Sequence, residues 1–190
     1  MLEGGEAAGK STQACLLAQH LGAVLTREPG GTLVGEALRR MLLDPSLPAP
    51  VPRAEALLML AARAQHVAEV IEPALARGQD VVCDRYSGST LAYQGYGRGL
   101  DVADLARLDA WATGGRAPDI YVLLEVPSEV AQRRRAEAGD RFEAEDDGFR
   151  RRVEAGFREL AAADPGHWRT VDGSMSVDEV AAAVLKAVES

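Results

Sequence analysis

Short apolar runs that alternate with amphipathic stretches constrain the fold of this chain more than any other feature of its sequence. Four runs predict β-strands: 23–28 (AVLTRE), 80–86 (DVVCDRY), 119–126 (DIYVLLEV) and 168–173 (WRTVDG). Buried strands that alternate with helices are typical of a parallel sheet covered on both faces. Right-handed connections place the C-terminal ends of such strands on one side, where ligands bind. We therefore expect an α/β fold with its site at that edge.

Helical patterns fill the intervals between these strands. They cover residue 10 to about 21, 34–43, about 53–77, 102–112 and a last helix that follows Ser176. Asp101 is a suitable N-cap, and Ser176 with Glu179 has the spacing of a capping box. The four prolines within 45–52 predict an extended connection, because proline disrupts a helix interior.

Composition restricts the classes of function. The 190 residues predict a single domain over 1–190. The net charge of −8 argues against non-specific binding to nucleic acid. No apolar run approaches the ~20 residues of a membrane span, and the N-terminus does not have the pattern of a signal peptide. Cys15 and Cys83 lie far apart in apolar contexts, which predicts buried free thiols in a cytoplasmic protein without a membrane partner.

Residues 4–11 (GGEAAGKS) fit the phosphate-binding pattern G-x-x-x-x-G-K-[ST]. Backbone N–H groups of such a loop wrap a phosphate, and the following helix directs its positive end at the anion. Lys10 is expected to reach the β- and γ-phosphates, and Ser11 to ligate Mg²⁺. The alternative is a glycine-rich turn with an incidental lysine. The residues predicted to bind a nucleoside triphosphate are Gly4, Gly5, Glu6, Ala7, Ala8, Gly9, Lys10, Ser11 and Thr12.

Asp84 ends the second of the four apolar runs, beside the predicted position of this loop. A carboxylate at the C-terminal end of a strand can hold Mg²⁺ through a water molecule. We therefore predict a metal site formed by Ser11 and Asp84. The alternative is that Asp84 caps the next turn.

Four further segments carry a family resemblance: 26–32 (TREPGGT), 57–67 (LLMLAARAQHV), 84–99 (DRYSGSTLAYQGYGRG) and 140–157 (DRFEAEDDGFRRRVEAGF). With the loop, they closely resemble bacterial thymidylate kinases nearly end to end. The resemblance implies the nucleoside monophosphate kinase fold, with a five-stranded parallel sheet flanked by helices. It also implies transfer of the γ-phosphate of ATP to dTMP, a requirement for Mg²⁺, and a homodimer.

The resemblance also implies roles for individual residues. Arg63 would read the thymine edge, Arg85 would bind the acceptor phosphate, and Tyr93 would crowd C2′ of the sugar. Each has a plain alternative. Arg63 could be a solvated arginine, Arg85 could form a local ion pair with Asp84, and Tyr93 could serve ordinary packing. The implied catalytic residues are Lys10, Arg141, Arg85 and Glu6. The implied substrate-binding residues are Arg39, Met59, Arg63, Arg85, Ser89, Thr90, Tyr93 and Gln94.

Two departures from the family pattern concern the loop and the base pocket. Ala7 stands where the bacterial relatives usually have glycine, so we expect this position to avoid left-handed backbone. Met59 replaces a phenylalanine that stacks on thymine, so we expect an apolar contact of smaller area.

Residues 133–148 are predicted to form a mobile lid that supplies an arginine to the phosphates. Arg133, Arg134 and Arg135 are consecutive on a predicted helix and splay around it at ~100° per residue. We therefore favour Arg141, which follows Gly139 and Asp140 and matches the arginine of the D-R-x-E motif that the resemblance places in the bacterial lid. The adenine pocket is expected near the loop that follows Val171.

Only three residues precede the loop, although relatives usually have several more apolar residues there. Our expectation is a truncated first strand in a chain that naturally starts upstream; the alternative is a short strand and a weakly stable protein. Two other functions stay open. One is another small P-loop nucleotide or deoxynucleoside kinase, and the other is a nucleotide-binding regulatory protein with little transfer activity.

Overall fold

A computed structural model describes residues 1–134, 141–142 and 144–189. Part of the predicted lid, including Arg135, Gly139 and Asp140, lies outside the described residues.

The fold is built on one parallel sheet. Its five strands are β1 (Leu2–Glu3), β2 (Val24–Arg27), β3 (Val81–Asp84), β4 (Tyr121–Glu125) and β5 (Trp168–Asp172). They lie in the order β2-β3-β1-β4-β5, and every neighbouring pair is parallel. The predicted five-stranded parallel sheet is therefore confirmed.

The shortest strand is the central one. Leu2 of β1 pairs with Asp84 of β3 on one side and with Val122 of β4 on the other. Leu2 is fully buried, and Glu3 beside it is fully buried as well. The loop that begins at Gly4 therefore leaves the sheet at the middle of its C-terminal edge, where a parallel sheet places its ligands.

Nine α-helices connect and cover the strands in the described part of the chain. They are α1 (Lys10–Leu21), α2 (Leu33–Leu43), α3 (Pro52–His66), α4 (Glu72–Ala76), α5 (Ser87–Thr90), α6 (Val102–Ala112), α7 (Ser128–Arg134), α8 (Asp147–Ala163) and α9 (Val177–Glu189). Where one helix is predicted over 53–77, a π-helical segment at Val67–Ile71 separates α3 from α4. A second π-helical segment, Leu91–Gly97, follows α5.

Both predicted caps are present. The side chain of Asp101 accepts a hydrogen bond from the N–H of Asp104 at 2.8 Å, at the start of α6. At the start of α9, the carboxylate of Glu179 accepts from the N–H of Ser176 at 3.0 Å, and the hydroxyl of Ser176 accepts from the N–H of Glu179 at 3.4 Å. This reciprocal pair is a capping box, as the spacing predicts.

The two faces of the sheet bury separate cores. On one face, Leu17 of α1 and Val184 of α9 pack with Leu2, Val122 and other strand residues. On the other face, Phe149 and Phe157 of α8 pack with Leu123, Trp168 and Tyr93. The second core lies beneath the loop edge of the sheet and includes a residue predicted to contact substrate.

Both cysteines are free. Cys83 is buried, whereas Cys15 is only partly buried, so the predicted burial is correct for one of them. Among the described helices, none has the length and apolar character needed to cross a membrane.

Candidate active site

The loop at residues 4–9 adopts positive φ angles at two of its glycines. Gly4 has φ +138°, and a Cβ there would lie 2.5 Å from the carbonyl oxygen of Leu124. Gly9 has φ +92° and is the N-cap of α1. Lys10 begins the helix, and its Nζ donates to the carbonyl oxygen of Gly5 at 2.6 Å, across the loop. The positive end of α1 and the ammonium therefore face the same small volume, which suits a phosphate.

Ala7 contradicts the expectation made from the sequence. Its φ is +58°, in the left-handed region that the sequence analysis excludes. The path of the loop around its centre imposes this conformation, and alanine adopts it at a cost of roughly 1–2 kcal/mol. The glycine that relatives usually carry there avoids that cost.

Charges are concentrated beside the loop. Lys10 is buried, and burial, with a further contribution from the positive charge of Arg85, lowers its pKa to about 8. Burial raises the pKa of Glu6, but Arg85 and Lys10 outweigh it, and the pKa falls to about 2. The loop thus holds one carboxylate, Glu6, close to the two cations Lys10 and Arg85.

Ser11 and Asp84 lie together as the metal prediction requires. The hydroxyl of Ser11 donates to Oδ2 of Asp84 at 2.5 Å. Oδ1 of Asp84 is buried and has no hydrogen-bond partner in the described part of the protein. Hard oxygen donors with an unused buried lone pair fit Mg²⁺, which keeps several waters and substrate oxygens in its shell. Among the described residues, no cluster of three or more His, Cys, Asp or Glu forms a larger protein cage.

Arg85 connects the loop to the other wall of the site. Its Nη2 pairs with Oε1 of Glu6 at 2.5 Å, and its Nη1 donates to the carbonyl oxygen of Gly4 and to the hydroxyl of Ser89, each at 3.0 Å. Its guanidinium carbon lies 5.0 Å from the ring centre of Tyr93. The φ of Arg85 is +72°, an unfavourable value for a bulky residue. Residues held in such conformations by their surroundings are found at functional sites.

Glu3 supports this wall from the core. Its Oε2 accepts from the hydroxyl of Ser89 at 2.6 Å, and its Oε1 accepts from the N–H groups of Tyr86 and Ser89 at 2.9 and 3.1 Å. Burial raises the pKa of Glu3, although these hydrogen bonds partly offset the rise. The sequence analysis missed this residue; its only signal is a carboxylate in an otherwise apolar central strand.

A cleft of about 500 Å³ opens between the loop and this wall. All eight residues predicted to bind the acceptor line it: Arg39, Met59, Arg63, Arg85, Ser89, Thr90, Tyr93 and Gln94. Glu6, Ala7, Gly9, Lys10, Ser11, Thr12 and Asp84 line it from the loop side. Gly4, Gly5 and Ala8 complete the backbone of the loop without lining this cleft. The structure thus brings the predicted donor and acceptor residues into one space.

Arg63 is held in the wall of the cleft rather than solvated. It is 3% exposed; its Nε donates to Glu28 at 2.7 Å and its Nη1 to Asp109 at 2.6 Å. Its guanidinium carbon lies 5.0 Å from the ring centre of Tyr86. Burial lowers the pKa of Arg63, but the two carboxylates outweigh it and raise the pKa above its usual value. The alternative of a solvated arginine is therefore wrong.

Tyr93 is packed as well as exposed to the cleft. Its ring makes edge contacts with Phe142, Phe149 and Phe157, with ring centres 5.5–6.2 Å apart. Its hydroxyl donates to Glu6 at 2.7 Å. Tyr93 therefore belongs both to the aromatic core and to the wall of the cleft, because the three phenylalanine rings pack against one part of its ring and leave its hydroxyl end at the cleft.

The lid arginines that the structure describes differ in whether they reach the cleft. Arg141 is buried, and its Nη2 donates to the carbonyl oxygens of Asp44 and Leu47, just beyond α2. It does not line the cleft. Arg134, at the end of α7, lines the cleft and donates to the carbonyl oxygen of Gly173 at 2.9 Å. Arg133 is exposed. The catalytic role of Arg141 stays a prediction, and Arg134 is the described lid arginine that reaches the site.

A phosphate-binding loop at the centre of a five-stranded parallel sheet, beside an arginine-lined cleft, defines a P-loop nucleotide kinase. A family model described as thymidylate kinase matches residues 2–184. The chain therefore belongs to the thymidylate kinase family.

Individual relatives agree with this assignment. A thymidylate kinase of Synechococcus sp. strain JA-2-3B'a(2-13) is 50% identical over 195 residues, covering 99% of this chain and 92% of the relative. One from Solidesulfovibrio magneticus is 50% identical over 196 residues, covering 96% and 94%. The crystal structure of thymidylate kinase from Ehrlichia chaffeensis superposes with a TM-score of 0.81 at 31% identity, covering 100% of this chain and 96% of that one.

The backbone of Ala7 generates a stability prediction. Ala7→Gly should raise the free energy of unfolding by up to about 1 kcal/mol, because relief of the left-handed strain exceeds the greater flexibility that glycine gives the unfolded chain. The matched control is Ala8→Gly, at a buried position without a positive φ, which should be destabilising. Urea unfolding of the three proteins measures the difference. An Ala7→Gly protein less stable than the parent would contradict the strain.

Proposed function

We propose that the protein transfers the γ-phosphate of ATP to dTMP, giving dTDP and ADP, as a cytoplasmic step in the supply of dTTP. The observation that carries this proposal is the shared cleft, in which the acceptor-binding residues face the phosphate loop. Membership of the thymidylate kinase family supports the choice of dTMP. The size and polarity of the cleft suit a mononucleotide beside a triphosphate.

The chemistry requires positioning and charge neutralisation rather than a general base. The phosphate of dTMP is already ionised near neutral pH, so its oxygen can attack without losing a proton. In the proposed complex, Arg85 holds this phosphate in line with the γ-phosphate of ATP. Glu6 holds the guanidinium of Arg85 in place through their ion pair. Mg²⁺ held by Ser11 and Asp84 would neutralise charge on the ATP phosphates.

Lys10 supplies the fixed positive charge of the loop. Its ammonium lies within the loop at the start of α1, where the transferring phosphoryl group gains negative charge on its outer oxygens. Loop N–H groups add further donors to the same oxygens. Because these groups are held before substrate binds, little reorganisation is needed during transfer.

The base pocket is proposed to select thymine by its edge and the sugar by its shape. Arg63, locked by two carboxylates, can donate to a carbonyl of the base. Met59 offers an apolar contact to its face. Tyr93, fixed by its aromatic neighbours, crowds the sugar where a ribonucleotide carries a 2′-hydroxyl.

The test compares the parent with Lys10→Met in an ADP-release assay with Mg-ATP and dTMP, dUMP, dCMP or AMP as acceptor. Loss of this charge should lower turnover about 10²–10³-fold. The matched control is Lys186→Met, which removes the other lysine of the chain, an exposed residue of α9.

The outcomes separate the alternatives. Turnover of Lys10→Met within a few-fold of the parent would reject the loop assignment. Equal phosphorylation of AMP and dTMP by the parent would favour another nucleotide kinase. Nucleotide binding without transfer to any acceptor would favour a regulatory protein.

We further propose that Arg134 adds positive charge to the transfer site. Arg134→Ala should lower kcat by about 10²-fold, on the scale of a lost donor to the transition state. Arg133→Ala, its exposed neighbour on α7, is the matched control and should keep parental kinetics. Arg141→Ala should mainly lower stability, because it removes the hydrogen bonds that Nη2 donates to the carbonyl oxygens of Asp44 and Leu47. Collapse of kcat in Arg141→Ala alone would restore the role predicted from the sequence.

An exposed apolar face supports the homodimer that the resemblance implies. It comprises Leu33 and Met41 of α2, Leu57 of α3, and Leu108 and Trp111 of α6, and α3 packs against both other helices. Leu33 is 92% exposed and Trp111 83% exposed. Apolar side chains so exposed on adjacent helices are typical of a surface covered by a partner, here proposed to be a second copy.

Sedimentation velocity tests this proposal. The parent should sediment as a dimer, and Trp111→Lys should shift it toward the monomer, because a charge would be buried unpaired at the interface. The control is Val177→Lys, which alters an exposed apolar residue of α9 away from this face. A monomeric parent at micromolar concentration would contradict the proposed dimer.

A further inference from the structure

The side-chain amide of Gln94 has one orientation, set by a buried carboxylate. Gln94 is 1% exposed and lines the cleft. Its Nε2 donates to Oε1 of Glu55 at 2.9 Å. Its Oε1 has no hydrogen-bond partner in the described part of the chain. Because an ionised carboxylate can only accept, the amide nitrogen must point at Glu55 and the amide oxygen must point away from it.

The carboxylate of Glu55 is itself held in place by an arginine, so that its Oε1 stays in position to accept the hydrogen bond from Gln94. Glu55 is 2% exposed, in the first turn of α3, and Arg98 donates to both of its oxygens at 3.1 and 3.0 Å. Arg98 is fixed in turn by Glu145 at 2.6 Å and by the ring of Phe149, whose centre lies 4.6 Å from the guanidinium carbon. The position of the Gln94 amide therefore depends on a paired carboxylate that comes from another helix.

The amide orientation decides which base edges can pair with Gln94. If Gln94 presents its carbonyl oxygen to the cleft, that oxygen can accept a hydrogen bond from an N–H of the base. It cannot pair with a base nitrogen that carries a lone pair, because both atoms are acceptors. Thymine and uracil carry an N–H at position 3, whereas cytosine carries an acceptor there. If the amide were reversed, its NH₂ would face the cleft and would favour the opposite pattern.

We propose that Glu55 is a positioning residue for base selection: it turns the carbonyl oxygen of Gln94 toward the cleft, so that the site accepts pyrimidines with an N–H at position 3 and disfavours cytosine. Glu55 does not touch the substrate and acts only through Gln94. The proposal rests on the proposed function, because it assumes a pyrimidine deoxynucleotide in this cleft. Arg63 discriminates independently at the neighbouring position of the base.

The experiment measures kcat/KM for dTMP, dUMP and dCMP in the parent and in Glu55→Gln. A glutamine at position 55 presents one oxygen and one NH₂, so Gln94 is no longer held in one orientation. The dTMP:dCMP ratio should fall about tenfold, on the scale of one hydrogen bond. The dTMP:dUMP ratio should not change, since both bases have the same edge. At saturation with dTMP, kcat should stay near the parental value.

The matched control is Glu145→Gln, which removes the other carboxylate paired with Arg98 and leaves the contact between Glu55 and Gln94 intact. Its dTMP:dCMP ratio should equal that of the parent. Thermal unfolding of both variants separates a loss of stability from a loss of selectivity.

Gln94→Met completes a double-mutant cycle with Glu55→Gln. It also tests the proposal by itself if Glu55→Gln does not fold. Gln94→Met alone should lower the dTMP:dCMP ratio, and adding Glu55→Gln should not lower it further, because Glu55 acts through the missing amide. A parental ratio in Gln94→Met or in folded Glu55→Gln overturns the inference, as do additive effects in the double variant. A parent that is inactive on dTMP instead overturns the proposed function and this inference with it.

Discussion

The ion pair between Arg85 and Glu6 is the interaction on which the rest of the site depends. Glu6 belongs to the phosphate loop, and Arg85 begins the acceptor wall, so the pair joins the two halves of the cleft. Both groups are largely buried, and loss of either partner would leave an uncompensated charge. The same arginine donates to Gly4 and Ser89, which explains why the chain accepts a left-handed backbone at this residue.

The wall that carries the residues proposed to bind the base repeats this arrangement. Arg63 is bracketed by Glu28 and Asp109, and Gln94 is oriented by Glu55. In each case, a group that can contact substrate takes its direction from a buried carboxylate on a different element. Such support restricts rotamers before the nucleotide arrives, so that binding costs less conformational entropy and the geometry is held for in-line transfer.

The sequence predicts much of the fold because its signals are local. The apolar runs, the capping box at Ser176 and the loop motif each depend on a few neighbouring residues, and each is present as predicted. Ala7 shows the limit of this reasoning. Its left-handed φ is imposed by the path of the whole loop, and an intrinsic preference of roughly 1–2 kcal/mol is too small to oppose it. Arg141 is likewise predicted from a short motif, whereas its Nη2 donates to carbonyl oxygens just beyond α2.

By itself, the sequence determined the parallel α/β class, the phosphate loop and the identity of the residues that line the acceptor cleft. Only the tertiary structure decided how those residues are held. The carboxylates of Glu3 in β1, Glu28 just after β2, Glu55 in α3 and Asp109 in α6 are distant along the chain, and no local pattern pairs them with their partners. Burial of a charge becomes favourable only when the fold brings an opposite charge within hydrogen-bonding distance, and that distance exists only in the folded protein.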